Sequence, residues 1–331
     1  MAPAHRPDCR TGLEHAVAIA TRTEVPQPAR LPTQEQALRG RQRRDNLTAL
    51  AFIAPAMIGF VLFVIVPALA GLSLTFFQWD LITSPEWVGL KNINRLIADP
   101  AVWESLKVTV FFVVLGVVPT VLLGFVLGVL INQKMRGIGA LRILYFAPMV
   151  ASSTVAAVLW AYMYDPRSGL ANQLLAKVGL TGPSWLSDTS WALPALTLMI
   201  IWLALPLVMI LYLAGLQRIP DDVYAAADLD GCGRWRMLWS ITWPNVLPTT
   251  VLVGILQIID FVSSSFEVSL IMTQGGPLGS TQSLALYSYF AAFQNGEMGY
   301  ASAISLFQLL LIGLIVGAVR LVTKIVARRT A

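Results

Sequence analysis

The sequence predicts an all-α integral membrane protein, a bundle of six transmembrane helices. Three observations carry that prediction. The 331 residues are 56% hydrophobic and only 12% charged, with mean hydropathy +0.69, whereas soluble domains carry about 25% charged residues. Six apolar runs follow one another, roughly 49–77, 108–131, 143–164, 191–213, 246–266 and 301–319, and a spanning helix needs about 20 such residues. Basic residues flank these runs rather than interrupt them: Arg39, Arg41, Arg43 and Arg44 precede the first, and Arg320, Lys324, Arg328 and Arg329 follow the last.

Taken in chain order, residues 1–45 are rich in Arg, Pro, Thr and Gln and hold no apolar stretch. They read as a disordered cytoplasmic tail rather than a signal peptide. Prolines punctuate the runs at Pro55, Pro67, Pro119, Pro148, Pro194 and Pro206. In a membrane helix such kinks are tolerated where neighbours re-satisfy the freed carbonyls. With the N-terminus inside, the outer segments hold only Lys91, Arg95, Lys107, Arg167 and Lys177 of the 23 Lys and Arg. The inner ones hold the rest, including Lys134, Arg136 and Arg142. The positive-inside rule then places both termini in the cytoplasm. The last outer segment, 267–300, has neither Lys nor Arg.

Several functions are excluded or disfavoured by what is missing. The two histidines, His5 and His15, both lie in the tail, so the membrane region has no His-based catalytic or metal site. The two cysteines, Cys9 and Cys232, suggest neither a disulfide nor a metal pair. No P-loop sequence is present, so the chain itself binds no ATP that way. No repeat of fixed period supports an inverted-repeat carrier. The basic clusters are topology signals, not a nucleic-acid surface.

The inner segment between the fourth and fifth runs, 216–245, is the most informative. Pro220-Asp221-Asp222 is a helix-start signal, with proline in the first turn and acids that complement the dipole. Ala225, Ala226 and Ala227 are strong helix formers. Asp230-Gly231 breaks the helix, and spacing resumes through Arg234, Trp235, Trp239 and Trp243 to Pro244. Such an amphipathic hairpin either lies among lipid headgroups or docks a cytoplasmic partner.

This segment resembles the EAA loop of ABC importer permeases: Ala226, Ala227, Asp230, Gly231, Ile241 and Pro244 match at the family's spacing. Ala225 stands where the family usually has Glu, and Cys232 where a small residue follows the glycine. In the family that acid helps seat the loop in a cleft of the ATPase; here the contact is weakened, or Asp222 or Asp228 supplies it. Trp79-Asp80, 87–92, 272–277, Ala291, Phe293, Gln294 and 298–303 also resemble the carbohydrate-uptake permeases, the family of the maltose, lactose and glycerol-phosphate importers. The resemblance covers about 280 residues and implies a six-span permease domain over 46–331 with the EAA-type coupling hairpin on the cytoplasmic side. It implies residence in a bacterial-type inner membrane. It also implies a second homologous permease as heterodimer partner, two ATPase subunits that hold ATP and Mg, and an extracytoplasmic solute-binding protein. This chain would bind no cofactor and perform no bond-making chemistry. The alternative is an ion-coupled secondary transporter without an ATPase.

Asp260 is the one acid deep within a run, where a charge costs roughly 2.5–3.5 kcal/mol. Gln257, Ser264 and Ser265 lie near it, and Phe261 and Trp202 are candidate aromatic platforms for a sugar. These six residues are candidate translocation-pathway positions; helix–helix hydrogen bonding is the competing role for the polar ones. Glu267, nearer the outer face, is expected to touch the binding protein or nothing.

Overall fold

The computed structural model describes residues 34–132 and 146–330. The tail through residue 33, with Cys9, His5 and His15, and the inner bases Lys134, Arg136 and Arg142 lie outside the described residues. The chain divides after Pro67 into two units.

The first unit is helix α1 (Gln34–Phe60), carrying Pro55, followed by a π turn (Val61–Ile65). The helix starts inside the segment expected to be tail, because Gln, Glu, Ala, Leu and Arg there are strong helix formers. The π turn is closed by the Val66 N–H donating to the Val61 carbonyl, just before Pro67. A widened turn suits proline, which has no N–H to donate and crowds the carbonyl four residues back.

The second unit opens within α2 (Val66–Ser73) and a 3-10 turn (Leu74–Phe76). Strand β1 (Phe77–Gln78) then pairs antiparallel with β2 (Glu86–Trp87), Phe77 opposite Trp87. This small ladder corrects the all-α expectation. Its loop is closed by Asp80, whose Oδ1 accepts from the Thr83 N–H, the Thr83 hydroxyl and the Ile82 N–H at 2.8, 2.7 and 3.0 Å. Those bonds, the Thr83 N–H foremost, hold the Asp80 carboxyl below the usual carboxylate range. Helices α3 (Lys91–Ala98), α4 (Pro100–Asn132), α5 (Ser153–Met163), α6 (Leu170–Lys177), α7 (Ala192–Leu216), α8 (Asp221–Leu229) and α9 (Arg234–Met237) follow. A second π turn (Leu238–Thr242), α10 (Trp243–Met272), α11 (Leu284–Phe293) and α12 (Met298–Thr330) complete the chain.

Among the described residues, five helical segments are long and apolar enough to cross a membrane: Thr48–Phe76, Pro100–Asn132, Ala192–Leu216, Arg234–Met272 and Met298–Thr323. They correspond to five of the expected runs. The expected run 143–164 departs, because its helix breaks at Ala151-Ser152 and α5 has only 11 residues. Pro148 sits just before the break, and Ser152 takes an extended conformation as the residue preceding α5.

Helices α4 and α7 form the largest interface, and α10 packs on both. Apolar burial drives little between helices in lipid, so close packing must hold them. Gly116, Thr120, Gly124 and Gly128 fall at four-residue spacing on the buried face of α4. A Cβ at Gly116 would lie 2.0 Å from the Phe261 ring, and one at Gly124 would lie 2.3 Å from Val208 Cγ1. At Gly128 it would lie 2.9 Å from Tyr212 Cβ. These positions let α7 and α10 approach α4.

At the other end, Asp99 caps α4. Its Oδ1 accepts from the Ala101 N–H at 2.9 Å, with Pro100 as the first helical residue. Its Oδ2 accepts from the Tyr287 hydroxyl at 2.7 Å and from the Tyr300 hydroxyl. Arg95 lies 4.0 Å over the Tyr300 ring and makes a two-pronged ion pair with Glu297 at 2.8 and 2.9 Å. One carboxylate thus joins α3, α4, α11 and α12. Burial pushes the Asp99 carboxyl up, but the two phenols, the Ala101 N–H and the Arg95 charge together hold it below the usual range.

Gly124→Val should lower stability by about 1–3 kcal/mol through overpacking. Gly313→Ala, with nothing within 4 Å, should stay within about 0.5 kcal/mol of wild type. Thermal unfolding in detergent checks both, and an unshifted Gly124→Val would remove the packing argument. By the same assay Asp99→Asn should cost about 1 kcal/mol. A lowered carboxylate stabilises fully above its unfolded value and fades as pH falls through its folded one. Wild type should therefore converge on Asp99→Asn below about pH 4; a constant gap would separate the effect from ionisation.

Candidate functional site: an inner hairpin and a polar face on α10

Helix α8 starts where the acids predict, with Pro220 extended ahead of it and Asp221 and Asp222 in its first turn. It ends in a Schellman turn. Gly231 takes φ +71°, the Cys232 N–H donates to the Ala227 carbonyl at 2.9 Å, and the Gly231 N–H to the Asp228 carbonyl at 3.1 Å. The left-handed backbone is what requires glycine there. The second limb, where helical spacing resumes in the sequence, does not end at Pro244. α9, the π turn and α10 run on without a break, and Pro244 lies in the first turn of α10. The Trp243 N–H donates to the Leu238 carbonyl, the π register, and Pro244, the very next residue, has no N–H to place.

The hairpin is fastened on one face only. Ala227 is buried, and the Tyr224 hydroxyl lies 3.2 Å from Thr242 Oγ1 across the two limbs. Tyr224, Leu238 and Trp243 pack against a buried cluster of Phe125, Tyr212, Leu216, Ile219 and Val246. Trp243 sits 5.0 Å edge-on to Phe125, and Trp239 and Trp235 continue outward as an aromatic ladder. On the other face Ala225, Ala226, Asp230, Gly231, Arg234 and Trp235 are exposed, as is Pro244. Leu229 at 90% and Trp235 at 73% exposure flank the turn. Asp222 and Asp228 lie three residues either side of Ala225, on its face of α8.

On α10, Gln257, Asp260, Ser264 and Glu267 recur at three- and four-residue spacing and share one face. Ser264 bonds Asp260 one turn away. Gln257 is 2% exposed, and its Oε1 has no hydrogen-bond partner among the described residues. Ser265 turns away, its hydroxyl bonded to the Val262 carbonyl at 2.8 Å. The two aromatic candidates stand apart from this face. Phe261 is fully buried with Phe112, Leu196 and Met199, and Trp202 packs on that cluster 5.7 Å from Trp160. In this conformation both belong to the packed core.

Glu267 is not left idle. Its carboxylate accepts from Thr154 and, at 2.7 Å, from Ser153, the first turn of α5 after the break. The acid therefore sits at the N-terminal end of a half-helix, where the dipole favours negative charge. Only the tertiary fold joins residues so far apart in sequence, so no local pattern announces the pair.

Residues 108–331 match the family described as "Binding-protein-dependent transport system inner membrane component". The chain is 36% identical over 279 residues to a probable ABC transporter permease protein, YesP, of Bacillus subtilis, covering 82% of this chain and 89% of that one. It is 32% identical to the trehalose/maltose transport system permease protein MalF of Thermococcus litoralis, covering 81% and 91% of the two chains. The fold is similar to a chain of a bacterial ABC transporter involved in the import of the acidic polysaccharide alginate. That match has TM-score 0.75 and 23% identity, and covers 87% of this chain and 98% of that one. The ion-coupled alternative gains no support from these matches. This chain belongs to the binding-protein-dependent inner membrane components, the permease subunits of ABC transporters.

Proposed function

We propose that this permease carries a sugar or sugar-like solute inward in a six-span arrangement with both termini cytoplasmic, as one half of a heterodimer with a homologous permease. Two ATPases, holding ATP and Mg, dock on the hairpin, and an extracytoplasmic solute-binding protein delivers the solute. The sixth span is the broken one, made by residues 146–150 and α5 with their flank. Support for the substrate class comes from the relative named for trehalose and maltose.

The observation that carries the docking assignment is the one-sided hairpin. Its Ala227 face is held by the bundle while Leu229, Asp230, Arg234 and Trp235 stand free at the turn. An exposed apolar pair of that size beside opposite charges fits a protein partner. Ala225 offers the ATPase no carboxylate, and Asp222 and Asp228 on the same face supply it. Because the second limb continues into α10, a displaced hairpin tilts the helix that bears Gln257, Asp260 and Ser264. Alternating access then follows from a two-state bundle biased by ATP on the partner.

Mild-detergent purification of the tagged chain with ATP and vanadate should recover a P-loop ATPase and a second permease. Reproducible recovery of the chain alone would sink the assembly. Gly231→Pro fixes φ near −65° where +71° is needed, and Asp230→Arg reverses the charge at the turn. Each should abolish uptake of labelled maltose or trehalose and leave membrane insertion intact. Normal uptake by either variant, well expressed, would overturn the docking assignment.

A further inference from the structure

A cavity of about 560 Å³ opens between α10, α11 and α12, outside the residues assigned above. Its position is set by the same helix that carries the polar face, since Ser263, three residues after Asp260, lines its wall. It extends along α12 from Met298 to Ile312, about 21 Å at 1.5 Å per residue.

Two features distinguish it from a packing gap. Its wall is aromatic: the Tyr289 ring lies 5.3 Å from Phe266 and 5.0 Å from Phe293, inclined at 54° and 41° to them. Its polar lining is unfinished. Ser263 and Ser288 are satisfied within the protein, by the Ile259 carbonyl at 3.0 Å and the Ala301 carbonyl at 2.9 Å. The Tyr289 hydroxyl, the Ser302 hydroxyl and the Gln308 amide line the same space and have no hydrogen-bond partner among the described residues. These groups are free to bond an occupant of the cavity, and a few convergent polar groups of this kind orient a ligand in a small-molecule site.

We propose that this cavity is an outer binding station for a polyhydroxylated solute, met before the solute reaches the face around Asp260. A sugar ring matches both features at once. Its C–H face lies on an aromatic ring, and its hydroxyls donate to and accept from Tyr289, Ser302 and Gln308. The volume falls within the roughly 300–1,000 Å³ of small-molecule sites. The inference rests on the sugar-importer reading and adds a second station to it.

The test uses the assembled importer in intact cells and a membrane-impermeant methanethiosulfonate reagent. Ser302→Cys and Gln308→Cys should label from outside. A saturating mixture of maltose and trehalose should slow that labelling about tenfold, the protection mass action gives near ten times Kd. Leu278→Cys, at a position 97% exposed, is the control and should label at a rate the sugars leave unchanged. If both cavity variants import the sugars yet fail to label, the space is filled by the second permease or by lipid, and the proposal falls. It falls equally if they label at a rate the sugars do not alter. If the unsubstituted chain imports neither sugar, the parent reading fails first and takes this inference with it.

Discussion

The close approach of α4 to α7 and α10 is the contact on which the rest of the molecule depends. Lipid tails are as apolar as leucine, so burying leucine between helices gains little, and intimate packing must supply the association. Gly116, Gly124 and Gly128 give that packing its geometry, each taking a large side chain of a neighbour into the space a Cβ would fill. Gly215 does the same for Thr249 between α7 and α10. Phe125 stands beside Gly124 on α4 and touches both Tyr212 and Trp243. The glycine row therefore also positions the cluster on which the hairpin rests. A change in spacing between these three helices could not leave the hairpin where it is.

The two π turns show how proline is placed inside continuous helix. In both, a five-residue turn is followed by one residue and then proline: Val61–Ile65 before Pro67, and Leu238–Thr242 before Pro244. The wider turn moves the hydrogen-bond register by one residue, so the position that proline cannot fill demands less of its neighbours. At Pro244 the chain stays helical. No loop intervenes there: helix runs from Arg234, just after the turn at Gly231, to the segment that bears Asp260.

Most of the architecture was legible because a bilayer demands long apolar helices, and five of the runs register as such in the structure. The hairpin was legible for a local reason: Pro220, the two acids, the alanines and Gly231 each act on backbone within a few residues of themselves. What the sequence concealed is tertiary. The ladder at Phe77 and Trp87 has its loop closed by a three-donor bond to Asp80, the first turn of α5 meets Glu267 from far along the chain, and the junction at Asp99 takes phenols from two distant helices. The burial of Phe261 in this conformation is tertiary in the same way. Its ring is the one that fills the space at Gly116, a relation visible only once α4 and α10 are side by side.

The polar side chains sort by what satisfies them. Thr109, Thr120 and Thr197 lie buried in spanning helices, and each donates to the carbonyl four residues back on its own helix, at 2.7–2.8 Å. Thr120 and Thr197 are self-contained, whereas Thr109 also accepts from the Leu284 N–H at 2.9 Å and so ties α4 to the start of α11. Amides have no equivalent escape: their acceptor and two donors outnumber what one helical turn offers. Gln257 is buried with a bare acceptor and Gln308 faces a cavity with none of its groups paired. Gln257 keeps its unmet acceptor inside the packed bundle, where only a rearrangement of the helices can complete it, whereas Gln308 on α12 faces a space that something from outside the chain can enter.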